Sequence, residues 1–224
     1  YGAAPPWELV LKLQPKHGEV KMDNKNATAD AIKIGRIEVA SDARGILTLK
    51  RRTQIWETML NSWGRSKFYY QLMYLQINSV HHVHTIWDRT FPEDPGVLKM
   101  LELAQLVMEE KVDSEWAINS AFKFTQKLDT TIPQNMTYSP ALFVADAAAG
   151  TVVLAAHRDM TDIVTDPIDD DDELAPEGFY PSYQCASAAA GGMNWMPVDQ
   201  VNVEARRAFW MWYLDEAIPA VLSN

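Results

Sequence analysis

Residues 48–88 read TLKRRTQIWETMLNSWGRSKFYYQLMYLQINSVHHVHTIWD, and the period of this stretch decides the fold class. Ile55, Met59 and Trp63 recur every fourth residue with Trp56 and Leu60 beside them, the stripe of a helix rather than the alternation of a strand. Gly64 predicts a stop, and Ser66 a cap for a second helix reaching about Asp88. That second run is apolar on most faces, through Phe68, Leu72, Met73, Leu75, Val80, Val83 and Trp87, which places it at the centre of the molecule.

The helical period recurs downstream. Asp94-Pro95 is an N-cap and first-turn pair, opening a helix with Leu98, Leu101 and Ala104. Asp113 or Ser114 caps the next, which is expected to bury Trp116, Ala121, Phe122 and Leu128. Ser139-Pro140 opens an alanine-rich helix, with an interruption expected near Gly150. Pro181 starts a small-residue helix that Gly191-Gly192 stops, and Asn202 caps the last one, with Trp210, Tyr213, Leu214, Ala217 and Val221 on one stripe. Trp56, Leu72, Trp87, Leu101, Phe122 and Trp210 are expected to share one core. The expected class is therefore mainly α: a multi-helix domain over residues 46–224, with a small irregular or β-containing segment at 1–45. In that segment, residues 8–13 and 32–40 are strand-prone runs separated by Pro15, Gly18 and a polar stretch.

Residues 162–179 break the pattern with Pro167, Pro176, Gly178 and the acidic run Asp169-Asp170-Asp171-Asp172-Glu173. Five adjacent carboxylates repel one another, so the run is expected to stay in solvent as a loop. The chain as a whole has 224 residues and carries a net charge of −10. The first 90 residues hold 13 Lys+Arg against 8 Asp+Glu, and the remainder 7 against 22. Such an acidic body repels phosphates and anionic lipid, which argues against nucleic-acid and membrane partners and favours a basic protein. Eight Trp, eight Tyr and seven Phe are too much apolar surface for a disordered chain. The lone Cys185 excludes an internal disulfide. The chain opens at Tyr1 without Met, which points to a trimmed or missing start, and a cytoplasmic location is expected.

Catalytic signatures are sparse. His81 and His84 share a helical face at i, i+3, with His82 between them, and His157 is the next histidine downstream. A zinc site would need all of them and lacks a His-Glu-x-x-His pattern, so a metal-dependent hydrolase using His81, His84 and His157 is the second reading. The sequence has no Gly-x-Ser-x-Gly elbow, no Gly-x-Gly-x-x-Gly and no Walker-type loop, so no catalytic residue and no cofactor is assigned. Arg51-Arg52 and Arg206-Arg207 lie in first helical turns, where the dipole opposes them, and are expected to be held by Glu57, Asp215 or an acidic neighbour helix.

Two stretches near the end are distinctive. Tyr183-Gln184-Cys185-Ala186-Ser187-Ala188-Ala189-Ala190-Gly191-Gly192 precedes Trp195. Ala205-Arg206-Arg207-Ala208-Phe209-Trp210-Met211-Trp212-Tyr213-Leu214-Asp215-Glu216-Ala217-Ile218-Pro219 follows. Together they resemble the signature of immunity family five of bacterial polymorphic-toxin systems. Arg51-Arg52-Thr53-Gln54-Ile55-Trp56-Glu57, Trp87-Asp88-Arg89-Thr90-Phe91-Pro92 and Met100-Leu101-Glu102-Leu103-Ala104 are similar to its earlier blocks. The resemblance spans roughly residues 47–220 and implies a protein that neutralises a cognate toxin by tight, stoichiometric binding, without catalysis. On that reading the partner is a toxin with a basic surface. The expected contacts are Asp169, Asp170, Asp171, Asp172 and Glu173, with Trp212, which lies about 100° round the helix from Tyr213. A helical scaffold without a toxin partner is the remaining alternative.

Overall fold

A computed structural model describes residues 20–133, 135, 137–160, 163 and 170–223. Helix dominates them, and no strand occurs among them. Helix α1 spans Val20–Ser41, α2 Leu49–Thr90, α3 Gly96–Met108, α4 Ser114–Thr131 and α5 Ser139–Ala156. Two short 3-10 turns, Asp171–Glu173 and Pro176–Gly178, lead into α6 (Pro181–Ala190). Helix α7 (Val203–Trp212) continues through a π turn, Tyr213–Ala217, into α8 (Ile218–Ser223).

The local signals act as expected at several helix ends. Thr48 accepts from the backbone N–H of Arg51, Asp113 from Trp116 and Asn202 from Ala205, so each satisfies a first-turn donor. Gly64 breaks α2 in kind but not in identity. Its φ of 76° and ψ of 168° kink the helix, and the chain resumes helical geometry directly, giving two arms of one element. Gly191 closes α6 in the left-handed conformation, while the Gly192 N–H reaches the Ser187 carbonyl at 2.9 Å. Pro219 lacks an N–H, and the widened π turn just ahead of it lets the helix run on to Ser223.

Helix α5 is the hub, packing on α2, α3, α4 and α6. Its composition explains this role: Ala141, Ala145, Ala147, Ala148, Ala149 and Ala155 are all buried, and such small side chains let four helices approach one axis. The helix passes Gly150 without the expected interruption. By length and composition α5 is apolar enough to cross a membrane, but its apolar surface is spent on its helical neighbours.

Three expectations give way. Residues 32–40 lie in α1, not in a strand: Ala31, Ile32 and Val39 turn inward, and α1 docks on α2. Residues 8–13 lie outside the described residues. Trp56, Leu72, Trp87, Leu101 and Trp210 do share one core, but Phe122 is 55% exposed and Trp116 57%. On α4 the buried stripe is Ala117, Ala121 and Leu128, because an alanine-rich hub admits small residues at close range. Trp116 and Phe122 are each one position off that stripe and are therefore swung to its flanks.

Candidate functional site

The acidic run does not behave as a unit. Asp171 is completely buried, as is its ion-pair partner Arg52 in the first turn of α2. Arg52 also donates to Ser182 Oγ at 3.3 Å, and its guanidinium lies 5.1 Å from the Trp210 ring and 5.8 Å from that of Trp56. Burial pushes the Asp171 carboxyl above the ordinary Asp range, and the Arg52 charge and hydrogen bond pull against that rise. The expectation that the whole run stays in solvent is thus wrong at Asp171, which cannot touch a partner. A buried arginine supplied the counter-charge that makes burial tolerable. Asp172 and Glu173 are exposed and Asp170 is half-buried, with Asp172 accepting from the Tyr183 hydroxyl at 3.2 Å. Asp169 lies outside the described residues.

The paired arginines are structural. Arg51 is held by Glu38 of α1 at 2.6 Å, not by Glu57, and Asp215 pairs with Arg36. Arg206 donates to the carbonyls of Gly192 at 2.8 Å and Met193 at 3.0 Å, and Arg207 to that of Asp42 at 2.7 Å. These two side chains clamp the turn after α6 and the end of α1 onto α7. Phe209, Trp210, Tyr213 and Leu214 are buried around them. Much of the most recognisable block of the sequence therefore builds the scaffold. Trp212 is half-buried, its ring stacked on His82 at 3.7 Å and 11° between planes.

The histidines do not converge. His84 Nδ1 sits 3.0 Å from Asp88, His82 is taken up by Trp212, and His157 Nδ1 donates to the Val153 carbonyl at 2.9 Å. Burial, with the neighbouring His84, lowers the His81 pKa. Among the described residues no group of three or more His, Cys, Asp or Glu side chains is placed to hold a metal ion.

What the sequence reading missed is a groove of about 620 Å³ between α4, α5, the start of α6 and the Pro176–Gly178 turn. Val153, Leu154, Phe179 and the exposed Phe122 give it apolar walls. Asp146, midway along α5, projects into it without a hydrogen-bond or ion-pair partner among the described residues, and Asp129 of α4 stands across from it. Burial, reinforced by the Asp129 charge, pushes the Asp146 carboxyl up to about 7. Gln184, only 8% exposed, lines the same groove with its Oε1 unpaired. The His157 ring nitrogen left over from the Val153 bond is an acceptor when the ring is neutral. No Lys or Arg lines the groove among the described residues. The only sequence signal was Asp146 itself, one charge inside an otherwise apolar run.

Comparison with known proteins fits this picture of a scaffold-defining signature. No curated protein matches the chain. Residues 32–220, however, match the family model described as immunity protein Imm5. The match starts inside α1, ahead of the resemblance seen from residue 47, as expected if α1 is part of the packed unit. It runs through the hub helix, the Arg52–Asp171 pair and the Arg206-Arg207 clamp to the end of α7 and beyond. With most of its length covered in this way, the chain belongs to the Imm5 immunity-protein family.

Proposed function

We propose that the protein neutralises a toxin in the cytoplasm by stoichiometric binding, without turnover. The observation that carries this reading is the family match over residues 32–220. The charge distribution supports it: the acidic second half of the chain would attract a basic toxin and repel nucleic acid and anionic membranes. Nothing in the placement of His81, His84 and His157 favours the hydrolase reading, and no observation favours a bare scaffold.

The test expresses the open reading frames adjacent to this chain's gene one at a time and takes as the toxin domain the product that arrests growth. Co-expression should rescue growth, and calorimetry should give a complex at one toxin per chain. Rescue at well below one chain per toxin would mean turnover and would overturn the reading, as would the absence of any complex.

The acids flanking Asp171, the half-buried Asp170 and the exposed Asp172 and Glu173, should act on encounter. A triple replacement, Asp170→Asn, Asp172→Asn and Glu173→Gln, should slow association about tenfold at low salt and leave dissociation nearly unchanged. By about 1 M salt, where the Debye length is roughly 3 Å, the difference should vanish in stopped-flow traces. Asp171 is left in place because it is not available to a partner.

A further inference from the structure

The groove between α4, α5 and the start of α6 holds two acceptors, on Asp146 and Gln184, with no donor beside them among the described residues. Asp146 brings a carboxylate and Gln184 an unpaired, nine-tenths-buried carbonyl oxygen. Asp129 adds a second negative charge. These come from three different helices, so their convergence is a product of the fold and not of one acidic stretch. We propose that the groove is the socket for a basic side chain of the toxin, with Asp146 and Gln184 receiving its cationic head. This proposal rests on the toxin-binding reading and names the surface and chemistry of that contact.

Charge complementarity selects the occupant. An anionic peptide would be repelled by the Asp146 carboxylate, and a purely apolar one would leave Asp146 and the Gln184 oxygen buried and unpaired, at a heavy desolvation cost. A lysine or arginine avoids both: its methylene stem covers Val153, Leu154 and Phe179 while its head reaches the acceptors. Arginine fits better, since its planar fork offers five donors to acceptors that lie on different elements. The volume of about 620 Å³ exceeds what one side chain fills, so flanking toxin residues would enter with it and pack on Phe122 at the rim. A central charged anchor in an apolar, desolvating pocket is the usual form of an energetic hot spot.

The test titrates the same neighbouring toxin domain into the parent and into Asp146→Asn, which keeps the side-chain shape and removes the charge. Dissociation of the variant complex should be at least a hundredfold faster, with association changed less than tenfold. Alanine replacement of the toxin's basic interface residues one at a time should then find one whose loss is nearly silent against Asp146→Asn, the signature of direct coupling. Glu102→Gln, exposed on α3 and outside the groove, serves as a surface control and should leave dissociation unchanged. If the parent binds and Asp146→Asn binds within threefold of it, the socket is wrong while the immunity reading stands. If the parent forms no complex, both fall together.

Discussion

Asp171→Ala should cost about 3–5 kcal/mol of folding stability, because it leaves the Arg52 guanidinium charged and buried with no counter-ion. The parent pair already operates at the edge of satisfaction, with Arg52 Nε and Asp171 Oδ2 both lacking partners. Removing the carboxylate therefore strips the main compensation for a desolvated cation that is wedged between Trp56 and Trp210. Residues 170–180 should loosen first, since the Arg52–Asp171 contact anchors them over the N-terminus of α2. Denaturant midpoints for Asp171→Ala, Arg52→Met and the double change Arg52→Met with Asp171→Leu would check this. The first two should fall sharply, and the double should recover much of the loss, because an apolar pair of similar volume needs no counter-charge. A fall in Asp171→Ala of less than 1 kcal/mol would mean that water reaches the Arg52 charge.

The same pair marks where reading the sequence succeeds and where it stops. Caps at Thr48, Asp113 and Asn202 are decided within one helical turn, so three or four residues suffice to see them. Core membership of Trp56, Leu72, Trp87, Leu101 and Trp210 follows from periodicity, because each lies on a strongly apolar face. Asp171 is different. Its fate depends on an arginine 119 positions earlier, and no local property separates it from Asp172 or Glu173. The strand-like alternation at residues 32–40 misled for a related reason: its period-two signal was weak, and docking on α2 settled it as helix. Large size misled at Trp116 and Phe122, which flank the buried stripe of Ala117, Ala121 and Leu128. The groove was the least legible feature, since Asp129, Asp146 and Gln184 share no motif and meet only through the packing of α4, α5 and α6. Family resemblance did not help there, because its clearest residues, Arg206, Arg207, Phe209 and Trp210, build the scaffold.

Asp146→Asn should make the free protein more stable at pH 8, even as it weakens toxin binding. An Asp carboxyl titrates near 3.8 in the unfolded chain and at about 7 in the fold, so the folded state holds the proton more tightly. Between those values the native protein binds more protons than the unfolded one, and stability falls as pH rises. The penalty is absent below about pH 4, grows through the acidic range and is complete above pH 7. At 1.36 kcal/mol for each pH unit it amounts to about 4 kcal/mol, and to about 2 kcal/mol once water in the open groove screens part of it. Asparagine carries no such penalty at any pH. Denaturation of parent and variant across pH 4–8 should therefore give curves that nearly coincide at pH 4 and separate by about 2–4 kcal/mol at pH 8, with the variant above. A constant offset at every pH would mean that Asp146 is paired or solvated and carries no stored cost. The predicted divergence would instead identify a carboxylate kept at the expense of stability, the pattern expected of a binding residue and not of a structural one. Saturating toxin domain should then reverse the order of the two proteins at pH 8, because only the parent gains a cation for its buried charge.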